Sequence, residues 1–299
     1  MPDRLIIKER PELVSPYILI GHKGWLNAGE ISTGCIDYLR VKLGARKFAH
    51  IEPHGFYVYQ IPSSTPEQTL RPYTQIREGL VKKLDMPQND FYYWKSDADH
   101  DLILFLGAEP NLEWPEYGQA IIDVARQFKS PRIYSLGGIL DQVPHTRRTR
   151  IFAVVSHPKM KDEVKTFSQF IDHEGPCSFT TMLLTMAREQ GVEFASLSAR
   201  TPLYIQDLNS KACHDLLKNV LTLTGNRIDL TDLRQSGETL MGLMDKIFSG
   251  NPKALEQLKK LEAQYDATIG EEPLQGPAED YDNLLKEMHR FKKEGGKLH

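Results

Sequence analysis

The chain has 299 residues, of which 40% are hydrophobic and 26% charged, and a formal net charge of −3. That length suits one large α/β domain or a domain with an appendage, and the near-balanced charge predicts no general pull toward nucleic acid or an anionic membrane. No apolar run approaches the ~18 residues of a membrane span, and no signal-peptide core follows the first charges. Three widely spaced cysteines, Cys35, Cys177 and Cys213, then predict reduced thiols in a cytoplasmic protein.

Residues 1–15 are polar and mixed and predict an irregular arm or an edge strand. Tyr17–Gly21 is the first buried strand. The turn that follows, His22 to Glu30, brackets Trp25 and Asn27 between Gly24 and Gly29 and leads into a helix over 31–43, stopped by Gly44. Asn27 can accept an unpaired first-turn N–H of that helix. Such a turn can bind an anion through free N–H groups, or its glycines can serve only to bend the chain. Its spacing matches neither a dinucleotide nor a P-loop fingerprint.

Phe48–Ile51 and Phe56–Ile61 read as short strands. Pro53 separates His50 from His54 and forbids the helix that would aim both at one metal, so no zinc site is predicted. Residues 63–72 read as a loop and Phe91–Lys95 as a strand. Asp97, Asp99 and Asp101 are too close together for a calcium loop.

Asp101–Gly107 is an almost purely apolar run, the pattern of a strand buried on both faces in a parallel sheet. Helical periodicity from Trp114 to Phe128 and a second apolar run, Ile133–Leu136 closed by Gly137-Gly138, complete a strand–helix–strand unit. Ligand and partner sites in open α/β sheets gather beyond the carboxyl ends of strands, which singles out Glu109 and Gly137-Gly138.

The stretch from Asp141 to Arg150 carries His145, Arg147, Arg148 and Arg150 in a loop. Its arginines can clamp a phosphate or carboxylate, or make surface ion pairs. A strand over 151–156, an amphipathic helix over 159–173, a helix over 179–190, a strand over 192–199 and a helix over 210–223 follow. Cys177 precedes a helix but has no cysteine-protease signature around it.

After Gly225 the strand pattern ends. Residues 225–299 hold 14 acidic and 11 basic residues, so the whole net charge lies there. Three apolar stripes (Leu240/Leu243/Met244/Ile247, Leu255/Leu258/Leu261/Tyr265 and Tyr281/Leu284/Leu285/Met288/Phe291) predict helices, with a linker near 270–277. The expected organisation is a 1–224 α/β/α domain and a 225–299 helical extension, which must dock on its own body or on another subunit to bury its stripes.

The order and spacing of Gly24-Trp25-Leu26-Asn27-Ala28-Gly29, Ala49-His50-Ile51-Glu52-Pro53, Arg71-Pro72, Asp101–Gly107 with Glu109-Pro110, Leu136-Gly137-Gly138, Val143–Arg147 and Thr201–Ile205 resemble the proteasome assembly chaperone family, in its prokaryotic branch, over residues 15–224. The resemblance implies a three-layer α/β/α sandwich like that of nucleoside phosphorylases, and a homo-oligomer, a trimer being one candidate size. Family members that act on proteasomes use a C-terminal tail with a hydrophobic-Tyr-X ending. This chain ends Gly295-Gly296-Lys297-Leu298-His299, which departs from it.

Two readings follow. In the first the chain is a non-enzymatic, homo-oligomeric, chaperone-like interaction protein without a cofactor, since no complete nucleophile–base set, metal set or dinucleotide fingerprint appears. In the second it binds or acts on an anionic or nucleoside-like ligand in a pocket that joins Gly24, Trp25, Asn27, Gly29, Glu109, His145 and Arg147, with Arg147 holding the anion, His145 as acid or base and Asn27 orienting the ligand.

Overall fold

The structure is a computed structural model and describes residues 4–60 and 70–267. Its elements run β1 (Leu5–Ile7), β2 (Tyr17–Lys23), α1 (Ile31–Lys42), β3 (Arg46–Ile51), β4 (Tyr73–Arg77), β5 (Leu80–Asp85), β6 (Asp90–Trp94), β7 (Leu102–Ala108), α2 (Trp114–Gln127), β8 (Arg132–Asp141), β9 (Ile151–Val155), α3 (Pro158–Val164), β10 (Gln169–Phe170), α4 (Phe179–Glu189), β11 (Glu193–Pro202), α5 (Ser210–Leu223), α6 (Thr231–Ser249) and α7 (Pro252–Ala267).

Nine strands form one sheet in the order β1-β3-β6-β7-β2-β8-β11-β9-β10. The central four, β7, β2, β8 and β11, are mutually parallel, and β6 and β9 flank them antiparallel. Alternation explains why the central strands read as unbroken apolar runs. Ile18 and Ile20 of β2 and Ile103 and Phe105 of β7 face α2 and α4, whereas Leu19, Leu102 and Leu104 face α1, α3 and α5. Two cores on opposite faces of one mixed sheet make the three-layer α/β/α sandwich.

The helices carry the matching stripes. α1 buries Ile31, Cys35, Ile36 and Leu39, and α5 buries Cys213, Leu216, Leu217 and Val220. Cys35 and Cys213 meet where these helices pack, and burial pushes the Cys35 thiol up, so both act as small apolar residues.

Several elements differ from the sequence reading. Phe56–Ile61 is no strand over the described residues 56–60, because the Phe56 N–H turns back onto the Pro53 carbonyl and the ring drops into the core. Gly137-Gly138 does not close β8. The strand runs on to Asp141, paired residue by residue with β11 out to Pro202. The helix expected over 159–173 stops at Val164, whose carbonyl accepts both the N–H and the hydroxyl of Ser168, and Gln169–Phe170 then pairs with β9.

The β4–β5 hairpin was not anticipated. Its turn holds Glu78 (φ 52°) and Gly79 (φ 75°) in the left-handed region, as tight hairpin turns require. The expected linker near 270–277 and the third helical stripe lie outside the described residues.

The two described helices of the tail pack against the body of their own chain. Met244 and Phe248 of α6 and Ala254, Leu258 and Leu261 of α7 close over Tyr204 and Ile205 beyond the end of β11. α6 also crosses α5 closely enough that a Cβ on Gly237 would sit 2.8 Å from the Lys211 Cα, and Tyr38 of α1 donates to Asp232 at 2.6 Å.

Candidate functional site

β2 is followed by α1 on one face of the sheet, and its neighbour β7 by α2 on the other. A crevice opens between adjacent parallel strands at such a reversal. The loops at that crevice are Lys23–Trp25 and Ala108–Glu109. The Glu109 N–H donates to the Lys23 carbonyl at 2.8 Å. The Glu109 carboxylate accepts the Trp25 N–H at 2.6 Å and the Phe179 N–H, in the first turn of α4, at 3.1 Å. Gly24 is required here because a Cβ would run into the Glu109 side chain. Glu109 thereby ties the β2–α1 turn to the start of α4, while the Trp25 side chain stands 64% exposed.

The rest of the turn lies on β8. The Gly138 N–H donates to the Leu26 carbonyl at 2.8 Å, and Asn27 makes a parallel bridge to Gly138. A side chain on Gly138 would strike the Ala28 carbonyl. The Asn27 side chain accepts the Thr33 N–H at 2.9 Å, a first-turn donor of α1. Gly29 (φ 56°) is buried, and its carbonyl accepts the Asn209 N–H ahead of α5. Gly24, Trp25, Asn27, Gly29 and Glu109 are thus brought together, with their polar groups holding chain to chain.

His145 and Arg147 face the helical extension instead. The Tyr204 hydroxyl accepts the His145 N–H at 2.8 Å and meets the ring Nδ1 at 2.8 Å, and Nε2 lies 3.1 Å from Asp245 of α6. With Nε2 facing the Asp245 carboxylate, a neutral imidazole carries its proton there and leaves Nδ1 to accept the Tyr204 O–H. Burial lowers the His145 pKa, in keeping with that form. The ring also stacks on Phe248 at 5.3 Å. Arg147 forks onto Asp266 of α7 at 2.8 and 2.6 Å and reaches Glu262 at 3.3 Å. Hydrogen bonding to Arg147 holds the Asp266 carboxyl below its usual range, and Arg150 lies over the Tyr265 ring. The loaded loop is therefore the seat of α6 and α7, and the ion-pair alternative describes its arginine better than an anion clamp.

Three features carried little sequence signal. A groove of ≈ 820 Å³ lies between α1 and the base of the β4–β5 hairpin, with Lys23, Leu106 and Gly107 on its floor, and none of the seven candidate residues lines it. Asn89 receives the Ala108 N–H and the hydroxyls of Tyr57 and Tyr117 on one buried oxygen. His22 is buried among Phe105, Tyr117 and Phe179, and among the described residues neither ring nitrogen has a hydrogen-bond partner. His22 was deducible, since it shares the inward parity of Ile18 and Ile20. Among the described residues no three metal-ligating side chains converge.

Glu109→Ala is expected to strand the Trp25 and Phe179 N–H groups and cost about 1–3 kcal/mol in chemical denaturation, with Glu109→Gln losing less because its amide oxygen still accepts one of them. An unchanged midpoint in Glu109→Ala would exclude the clamp.

The PAC2 family model matches residues 22–248. No curated protein matches the chain. Among solved structures, a Mycobacterium tuberculosis protein of unknown function shares 19% identity at a TM-score of 0.79, over 96% of this chain and 97% of that one. A M. tuberculosis proteasome-assembly chaperone homologue shares 21% at 0.71, over 79% and 96%. Pyrococcus furiosus PbaB, an archaeal proteasome activator, shares 22% at 0.61, over 81% and 97%.

Proposed function

The chain belongs to the PAC2 family, and on that premise we propose that it is a homo-oligomeric, chaperone-like protein whose ligand is another polypeptide. One observation carries the reading: the polar side chains that could have formed a reaction centre are spent on the chain itself. Glu109 holds two backbone N–H groups, Asn27 serves α1, and His145 and Arg147 pair with carboxylates of α6 and α7. A proteasome-assembly chaperone homologue and a proteasome activator share the fold, which supports a proteasome subunit as the partner. In the same reading, residues 225–299 are a helical extension of the 1–224 body. Among the described residues no helix is long and apolar enough to cross a membrane, and a cytoplasmic location is part of the proposal.

Mixed with unassembled proteasome subunits from its own organism, the protein is expected to form a discrete complex on a sizing column. Subunits that elute unchanged at every ratio would refute that partner.

The groove beside α1 favours a second reading, a small-molecule site. Its volume lies in the range of ligand pockets, and it opens at the carboxyl ends of β2 and β7. A discrete extra mass carried by each purified subunit would favour it.

A further inference from the structure

The main sheet buries its apolar residues, and the β4–β5 hairpin does not. Its register sets Thr74 opposite Leu84 and Ile76 opposite Val81, with Lys82 as the extra residue of a bulge. Alternation then places Ile76, Val81 and Leu84 on one face, where they are 57%, 65% and 62% exposed. Among the described residues the two strands pair only with each other. A lone two-stranded hairpin is marginal in water, and a contiguous exposed apolar stripe marks a contact surface.

The recess that such a stripe would fill adjoins it. The groove runs along α1 past Val41, which is itself exposed, and Leu208, with Tyr73 and Met86 on the hairpin side. Projection and recess on one surface are what a contact between copies of one chain needs, because each copy can then both give and receive. Charge does not oppose the contact: the hairpin carries Arg77, Lys82 and Lys83 against Glu78 and Asp85, and the rest of the groove is lined by Glu30, Asp37 and Asp232 against Lys23, Lys42 and Arg71.

We propose that the β4–β5 hairpin is a docking arm that seats its Ile76/Val81/Leu84 face in the α1 groove of a second copy of this chain. The proposal rests on the homo-oligomeric reading and names the surface that builds the oligomer.

Light scattering of the full chain across a dilution series tests it. One variant carries Ile76→Ser, Val81→Ser and Leu84→Ser together; the other is Val41→Glu. Both sites are exposed, so neither change disturbs the core. Each is expected to weaken self-association by about 100-fold. A mixture of the two is expected to recover a mixed species, since one copy keeps an intact arm and the other an intact groove. Hydrogen exchange of the hairpin amides is expected to speed up on dilution of the wild type. The arm is overturned, with the oligomer intact, if both variants keep the wild-type mass, or if hairpin protection is the same at every concentration, which would mean a cover from within the chain. A wild type that is monomeric throughout overturns the homo-oligomeric reading itself.

Discussion

At pH 5 the folded protein is expected to lose about 2 kcal/mol of stability relative to pH 7.5 through His22 alone. Burial lowers the His22 pKa from 6.5 to about 3. In the unfolded chain the imidazole takes up a proton below pH 6.5, whereas in the folded chain it does so only near pH 3. The unfolded state therefore binds more protons across that window. The stability contributed by the neutral ring is complete above 6.5 and falls by about 1.4 kcal/mol per pH unit as pH drops toward 3. Chemical denaturation of the wild type and of His22→Leu at both pH values isolates the effect, since the other groups contribute to both proteins. His22→Leu is expected to lose about 2 kcal/mol less on acidification. Because neither ring nitrogen has a hydrogen-bond partner among the described residues, the substitution removes no bond at neutral pH. Equal losses in the two proteins would show that the imidazole is solvated in the folded state.

Phe248→Ala is expected to cost about 3–5 kcal/mol in the docking of the helical extension. Phe248 is fully buried, stacks on His145 and meets the Tyr204 ring edge-on at 5.1 Å. It is the largest purely apolar side chain of the cluster where α6 and α7 meet the body. The polar contacts around it cannot replace it. Asp245 is mostly exposed, and the Arg147 pairs sit at the rim, where ion pairs contribute about 0–1 kcal/mol. Limited proteolysis of Phe248→Ala is expected to cut α6 or α7 before the 1–224 body, whereas Arg147→Ala leaves the digestion pattern close to wild type. Simultaneous loss of body and helices would mean that they unfold as one unit.

Much of the fold could be read from the chain because strong local signals agree with burial. The run Asp101–Gly107 corresponds to a strand displaced by one residue, Leu102–Ala108, and the helix expected over 210–223 is Ser210–Leu223, ending just before Gly225. One misreading arose where distant pairing overrode local punctuation. Gly137-Gly138 looked like the end of a strand, but β11 continues beside it and the missing side chains make room for the Leu26–Ala28 backbone. The hairpin was hidden because its strands mix polar and apolar residues and its turn begins with Glu78, where Asn or Asp would have marked it.

Of the candidate site, the turn residues and Glu109 lie together because both loops leave the carboxyl ends of neighbouring strands. His145 and Arg147 were recognisable as charged groups needing partners. Those partners, Asp245, Glu262 and Asp266, lie about a hundred residues further along, on helices whose docking surface no local pattern reveals.

The central claim, that this PAC2-family chain is a homo-oligomer built to bind polypeptide, is tested most directly by a native mass spectrum of the full-length protein purified without added ligand. The account predicts a single oligomer whose mass is a whole multiple of the bare subunit. A monomer, or a discrete additional mass on each subunit, would contradict it.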